Sequence, residues 1–184
     1  MLFSRLLDSS TSQKFYSVNN LLAALHPDCV FVRILPDGLT AITLEHPRHR
    51  TRAELVVERS YAKAGELRSV SYSQRPDVTL EVHPQARAPS LYLFDPKYKL
   101  IAEEANAERS NGKPKKEDID KMHAYRDAIR DEGGERIVEY AAIMYPGSES
   151  KTYGRGLEAL SSLPGSVGTL EARLRQLLFE ALVN

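Results

Sequence analysis

The stretch Leu91–Leu100, LYLFDPKYKL, opens as a run of large apolar and aromatic residues and then sets one carboxylate and two ammonium groups at alternating positions. In a strand, residues two apart share a face, so Asp95, Lys97 and Lys99 project together while Phe94 and Tyr98 point the other way. A half-buried carboxylate is costly unless it is paired, hydrogen-bonded or bound to a metal. The charged end of this strand is therefore either a same-face ion pair at a solvated strand end or part of a site.

Working outward, the run VTLEV (78 to 82) follows Arg75-Pro76-Asp77 and places Asp77, Thr79 and Glu81 on one face. It is expected to pair with SLYLF (90 to 94), so that two neighbouring strands aim Asp77 and Asp95 at one point. Upstream, CVFVRIL (29 to 35), LTAITLE (39 to 45), ELVVERSY (54 to 61) and LRSVSYS (67 to 73) are β-rich runs divided by turn signals, which predicts an antiparallel meander. Before them, Thr11 and Ser12 are placed to cap a helix with Val18, Leu21, Leu22 and Leu25 at helical spacing, ending before Pro27. Downstream, Ala102 to Lys116 reads as a polar loop. EDIDKMHAYRDAIRDEGG then reads as a helix with Ile119, Met122, Tyr125 or Arg126, and Ile129 on one face, stopped by Gly133 and Gly134. ERIVEYAAIMYPG predicts a buried strand parallel to Leu91–Phe94, because a crossover helix precedes it. After the turn-like SSLPGSVG, Leu170, Leu174, Leu177, Leu178 and Leu182 describe a closing helix. This order predicts an α+β or mixed α/β fold, with helices on a central sheet and the charged strand near its middle.

At 184 residues the chain is expected to form one domain with a real core. Apolar residues make up 42% and charged residues 27%, too apolar for wholesale disorder. Lys+Arg and Asp+Glu both number 25, so no global basic field points to nucleic acid, and such a partner must be held by local patches. The lone Cys29 excludes an internal disulfide and reads as core. The opening MLFSRLLDSS is too short in its apolar run for a signal peptide, and no run approaches membrane-spanning length, so a cytoplasmic protein without a membrane segment is expected.

Two carboxylates converging with a lysine suit metal-assisted phosphodiester cleavage. Mg²⁺ prefers oxygen ligands and is held by one or two carboxylates plus waters and phosphate oxygens. A lysine beside it orients water or stabilises the phosphorane oxygens. The pattern RPD at 75 to 77 followed by FDPKYK at 94 to 99 resembles the PD-(D/E)xK nuclease superfamily. The longer string SYSQRPDVTLEV, FDPKYKL, DIDKMHAYRDAI and IMYPG resembles its restriction-type branch, close to the McrC nuclease subunit that accompanies McrB-like GTP-driven motors.

That resemblance implies a restriction-endonuclease-like mixed central sheet, with residues 54–184 as nuclease core and 1–53 as an N-terminal helix and hairpin portion. It implies Asp77, Asp95 and the Pro96 carbonyl as ligands for Mg²⁺ or Mn²⁺, and Lys97 as catalytic. Lys121 and Tyr125, four apart on the helix, match the family's Gln-or-Lys-x-x-x-Tyr pattern near the site; packing of Tyr125 with a snorkelling Lys121 is the alternative. The family's first-helix glutamate has no counterpart in KFYSVNNLL, where Ser17 stands near the corresponding place, and Glu81 is its candidate substitute or else a solvated strand-end residue. Pro96 lacks an N–H, so the strand needs an edge or bulge there. His123 falls off the Lys121–Tyr125 face and reads as surface or packing.

For DNA, Arg48, His49, Arg50 and Arg52, and Arg109, Lys113, Lys115 and Lys116, form clusters that suit phosphate contacts, or else solvated turns. No base-reading motif is present, so recognition is expected from a preceding segment or another chain. The readings are a Mg²⁺-dependent restriction or defence endonuclease with a motor partner, and with a homodimer allowed; a silent nuclease-fold module; or a DNA-repair nuclease.

Overall fold

The computed structural model describes residues 16–17, 40–45, 51–85, 87–97, 113–163, 165 and 167–183. Among these, ten strands and two helices appear in the order β1 (Tyr16–Ser17), β2 (Thr40–Glu45), β3 (Arg52–Val57), β4 (Arg68–Ser69), β5 (Val78–His83), β6 (Ser90–Pro96), α1 (Lys116–Ala128), β7 (Ile129–Arg130), β8 (Val138–Tyr145), β9 (Lys151–Gly154), β10 (Leu157–Ser161) and α2 (Val167–Val183). Eight strands form one mixed sheet in the order β1-β2-β3-β5-β6-β8-β10-β9, and β4 pairs with β7 in a separate ribbon. The pairing from β1 to β6 is antiparallel, whereas β6, β8 and β10 run parallel. The charged strand is thus central, and the expected mixed α/β class is observed.

Alternation along β6 decides which helix covers which face. Leu91 and Leu93 pack with Ile119, Met122 and Tyr125 of α1, together with Ala141, Ile143 and Leu157. Phe94 packs instead with Tyr140, Leu160 and the α2 residues Leu170, Leu174 and Leu177. Further along α2, Ala181 and Leu182 cover Ala53, Leu80 and Val82. By the same period of two, Asp95 belongs to the α1 face. The helix α1 starts with Glu117 and Asp118 in its first turn, favourable against the positive end of its dipole.

Several expectations are corrected. Tyr16 and Ser17 pair with Glu45 and Leu44 as an edge strand, not as the start of a helix; the remainder of that expected helix, the run 29–35 and Cys29 lie outside the described residues. LRSVSYS is not a fourth meander strand. Ser69 Oγ donates to the Tyr72 carbonyl at 2.6 Å and so closes a local turn that competes with a ladder, leaving Tyr72 85% exposed. The helix α1 ends at Ala128, before the glycines, because Ile129 turns extended (φ −83°, ψ 125°) and pairs with Ser69 while staying fully buried. The pair β9 and β10 was not anticipated. Its turn depends on Gly156, at φ +70°, where a Cβ would lie 2.1 Å from the Glu139 carbonyl oxygen, so only glycine fits.

Pro96 needs no bulge. The one irregularity between β6 and β8 lies at Leu91/Tyr92, far from it. Lys97 N donates to the Met144 carbonyl at 2.6 Å, so the Pro96 nitrogen faces the opposite flank. There the last β5 partner is Val78 opposite Phe94, and the missing N–H leaves no broken ladder bond.

Candidate active site

The antiparallel register carries Asp77 one step beyond Val78↔Phe94, opposite Asp95, close enough for each carboxyl to shift the acidity of the other. Asp95 is fully buried. Lys97 Nζ lies 2.5 Å from its Oδ1, and Lys121 Nζ, from α1, lies 2.9 Å from its Oδ2. The Lys121 contact is an ion pair by distance but not a hydrogen bond by geometry, so Oδ2 remains a buried acceptor without a hydrogen-bond donor. The sheet and α1 therefore bring four of the five expected catalytic side chains, Asp77, Asp95, Lys97 and Lys121, to one point.

The two acids are driven apart in acidity. Burial, then the hydrogen bond and charge of Asp95, push the Asp77 carboxyl up to about 7, with Lys97 and Lys121 opposing. For Asp95, burial also acts upward. It is outweighed by the hydrogen bond from Asp77 and the two ammonium groups, which hold Asp95 below its ordinary range. Between these values the pair keeps one proton, on Asp77.

This has a pH signature. A raised carboxyl stabilises the fold fully below its ordinary 3.8, and that contribution is lost as pH rises through about 7. Asp95, being lowered, contributes in the opposite sense, with stability present above its ordinary value and lost only in stronger acid. Without metal, the parent-minus-Asp77→Asn difference in Tm is expected to fall as pH is raised from about 5 to about 8. Thermal melts across that range check it, and a flat difference would refute the shared proton.

Tyr125 lies within electrostatic reach of both acids, and burial together with their charges holds its hydroxyl above its ordinary range. It is buried in the core, its hydroxyl donates to the Arg75 carbonyl at 2.9 Å, and Lys121 Nζ rests 5.3 Å from its ring centroid. Thus Tyr125 ties α1 to the RPD turn. Glu58, at the end of β3, holds that turn from the other side. Its N–H donates to the Asp77 carbonyl at 2.9 Å, while Arg75 donates to both the Glu58 carbonyl (3.3 Å) and its carboxylate (2.9 Å). Glu58 is the only non-glycine with positive φ among the described residues, at 53°, a strained conformation of the kind that clusters at functional sites. Sequence reading quoted Arg75 within its motif without a role and missed Glu58, since nothing local marks a left-handed glutamate. Tyr125→Phe is expected to cost about 1 kcal/mol of stability, one hydrogen bond. Urea melts of parent and variant measure it.

Glu81 does not join the acids. It is buried, not solvated: Tyr61 Oη donates to its Oε1 at 3.1 Å, Arg59 Nε lies 2.9 Å away and His83 Nε2 3.7 Å away. Four residues along a strand from Asp77, it is about 13 Å removed. Ser17 sits on β1, at the far edge of the sheet. Among the described residues no three His, Cys, Asp or Glu cluster as a metal site. The hard oxygens of Asp77, Asp95 and Pro96 nevertheless suit a divalent cation by donor type, and such a cation would compete with Lys97 and Lys121 for Asp95.

Of the expected DNA contacts, Arg48, His49, Arg50 and Arg109 lie outside the described residues. Arg52 is exposed and paired with Glu54. Lys113 and exposed Lys116, the latter paired with Asp120 at 2.5 Å, line a cleft of about 490 Å³ with Lys151 and Tyr153, whereas Lys115 is half-buried outside that lining. The cleft includes Tyr145 at the end of β8, next to Met144, the partner of Pro96, so it opens at the same end of the sheet as Asp95. No helix among the described residues is long and apolar enough to cross a membrane.

A family model described as the PD-(D/E)XK nuclease superfamily matches residues 3–150, more than half of the chain and a span that holds Asp77, Asp95, Lys97, Lys121 and Tyr125. No curated protein and no solved structure matches the chain.

Proposed function

Because the chain belongs to the PD-(D/E)XK nuclease superfamily, we propose that it is a Mg²⁺-dependent DNA endonuclease of restriction or defence type, resembling McrC and driven by an McrB-like GTPase or AAA+ motor. The mixed sheet flanked by two helices is consistent with the restriction-endonuclease-like fold. The observation that carries the reading is the closed group of Asp77, Asp95, Lys97 and Lys121 at the ends of two central strands.

In this reading Asp77, Asp95 and the Pro96 carbonyl hold Mg²⁺ or Mn²⁺. The cation, when bound, supplies a Lewis acid that polarises the phosphate and acidifies water. Asp77 must lose its proton to take part, so binding tightens as pH rises toward about 7. Lys97, half-buried against Asp95, orients the attacking water and donates to the phosphate oxygens as their charge grows. Lys121 holds Asp95 from the helix side, and Tyr125 and Glu58 keep the Asp77 turn in register. Arg48, Arg50, Arg52, Lys113, Lys115 and Lys116 track the DNA backbone without reading sequence. The whole chain acts as one nuclease domain in the cytoplasm, alone or as a homodimer.

A second reading, a silent DNA- or partner-binding module, is favoured by the contact of two ammonium groups with Asp95 and by the absence, among the described residues, of a third acid beside it. Incubation of closed-circular and linear DNA with Mg²⁺ or Mn²⁺, with and without a cognate GTPase, separates the two. Cleavage of the closed circle supports the endonuclease. Cleavage of linear DNA alone points to a repair nuclease, and no cleavage under any condition leaves the silent module.

A further inference from the structure

We propose that the pocket on the outer side of α1, lined by His123, Arg126, Asp127, Arg136 and Val138, binds a phosphate-type oxyanion. Its volume is about 280 Å³, several times the ~30 Å³ share of one water, which leaves room for a tetrahedral anion with part of its hydration. Arg126 is five residues after Lys121, about 140° round the helix and about 7.5 Å along it. The pocket is therefore separate from the Asp77–Asp95 group, and the inference does not rest on the nuclease reading.

The carrying observation is Arg126 Nε, a buried guanidinium nitrogen with no hydrogen-bond partner. The Arg126 side chain as a whole is half-buried, but its Nε is shut off from solvent, and a donor so placed without an acceptor is costly. Among the described residues two other buried side-chain polar atoms lack a hydrogen bond: Asp95 Oδ2, which is ion-paired with Lys121, and Thr79 Oγ1 beside the Tyr61 hydroxyl. Only Arg126 is a cation. The carboxylate in the pocket, on Asp127, is 2.8 Å from Arg136 and is engaged there. The C-terminal end of α1 offsets part of the Arg126 charge, but a dipole offers no lone pair to Nε. Arg126 Nη2 lies 3.7 Å from the position a Cβ would take on Gly156, so the guanidinium rests against the β9–β10 turn. Two guanidiniums against one carboxylate, with His123 at the rim, form a fork suited to phosphate oxygens.

The anion is either free phosphate or a DNA backbone phosphate, and two arms distinguish them in metal-free buffer. The Arg126 Nε–Hε resonance of ¹⁵N-labelled full-length chain is titrated with inorganic phosphate, then with a short duplex. A saturable shift with phosphate identifies a free-anion site, which Arg126→Gln and the more exposed Arg136→Gln weaken at least tenfold. A shift with duplex alone identifies a backbone contact, and each variant then lowers the salt slope of binding by about 1. Should Arg126→Gln fail to fold, the wild-type titration and Arg136→Gln carry the test. An unmoved resonance in both arms overturns the proposal. None of these readouts depends on cleavage, so loss of the nuclease reading leaves them intact.

Discussion

Asp95→Asn is expected to lower plasmid cleavage in Mg²⁺ by a factor on the order of 10³, roughly 4 kcal/mol of barrier, the several kcal/mol that a Lewis acid contributes. Asparagine keeps the volume of the fully buried side chain but removes the charge on which Lys97, Lys121 and the proposed cation converge. A general loss of fold is not expected, because both lysines reach solvent, with side chains 22% and 41% exposed. A second readout ties any lost activity to this geometry. With Asp95 neutral, the hydrogen bond and charge that help raise Asp77 disappear while Lys97 and Lys121 still lower it, so the Asp77 carboxyl falls from about 7. Carboxyl ¹³C titration of the variant measures this directly. Parental cleavage by Asp95→Asn would sink the proposed role, and an unmoved Asp77 would show that the two acids do not face each other.

Lys97→Met is expected to reduce kcat by about 10²- to 10⁴-fold, the range for a positioned proton-transfer or oxyanion-stabilising group. Its effect on DNA affinity should stay within about twofold, since one partly buried ammonium adds little to a backbone track of several cations. Arginine should not rescue it: a planar fork does not replace a compact ammonium 2.5 Å from Asp95 Oδ1. Lys121→Met is the informative comparison. Lys121 is more exposed and is not in hydrogen-bond geometry with Asp95, so a loss of about tenfold is expected. Single-turnover rates for both variants, with DNA binding measured in Ca²⁺, separate chemistry from affinity. Equal losses would mean that the two lysines share the role assigned to Lys97.

Strand periodicity was legible wherever it is local. Asp77 and Asp95 lie together because each ends a strand whose inward residues are two apart, and the antiparallel step from Val78↔Phe94 does the rest. The helix face of Ile119, Met122 and Tyr125 was readable for the same reason, and so was its covering of the parallel crossover to β8. The C-terminal boundary of α1 was not. The glycines at 133 and 134 are strong local stops, but burial of Ile129 and its pairing with Ser69 end the helix sooner. Glu81 was misread as solvated because its partners Arg59 and Tyr61 come from another segment, which bends back after β3.

Composition and alternation in LYLFDPKYKL were thus enough to make β6 a central strand with its acid and lysine on one face, since backbone sterics alone impose that period. They could not say what stands opposite. Three-dimensional packing sets Lys121 against Asp95, places the proton on Asp77, fixes the RPD turn between Glu58 and Tyr125, and leaves Arg126 Nε without an acceptor. Each depends on a contact between residues far apart in the chain, and on the burial that makes a charge's surroundings decide its state.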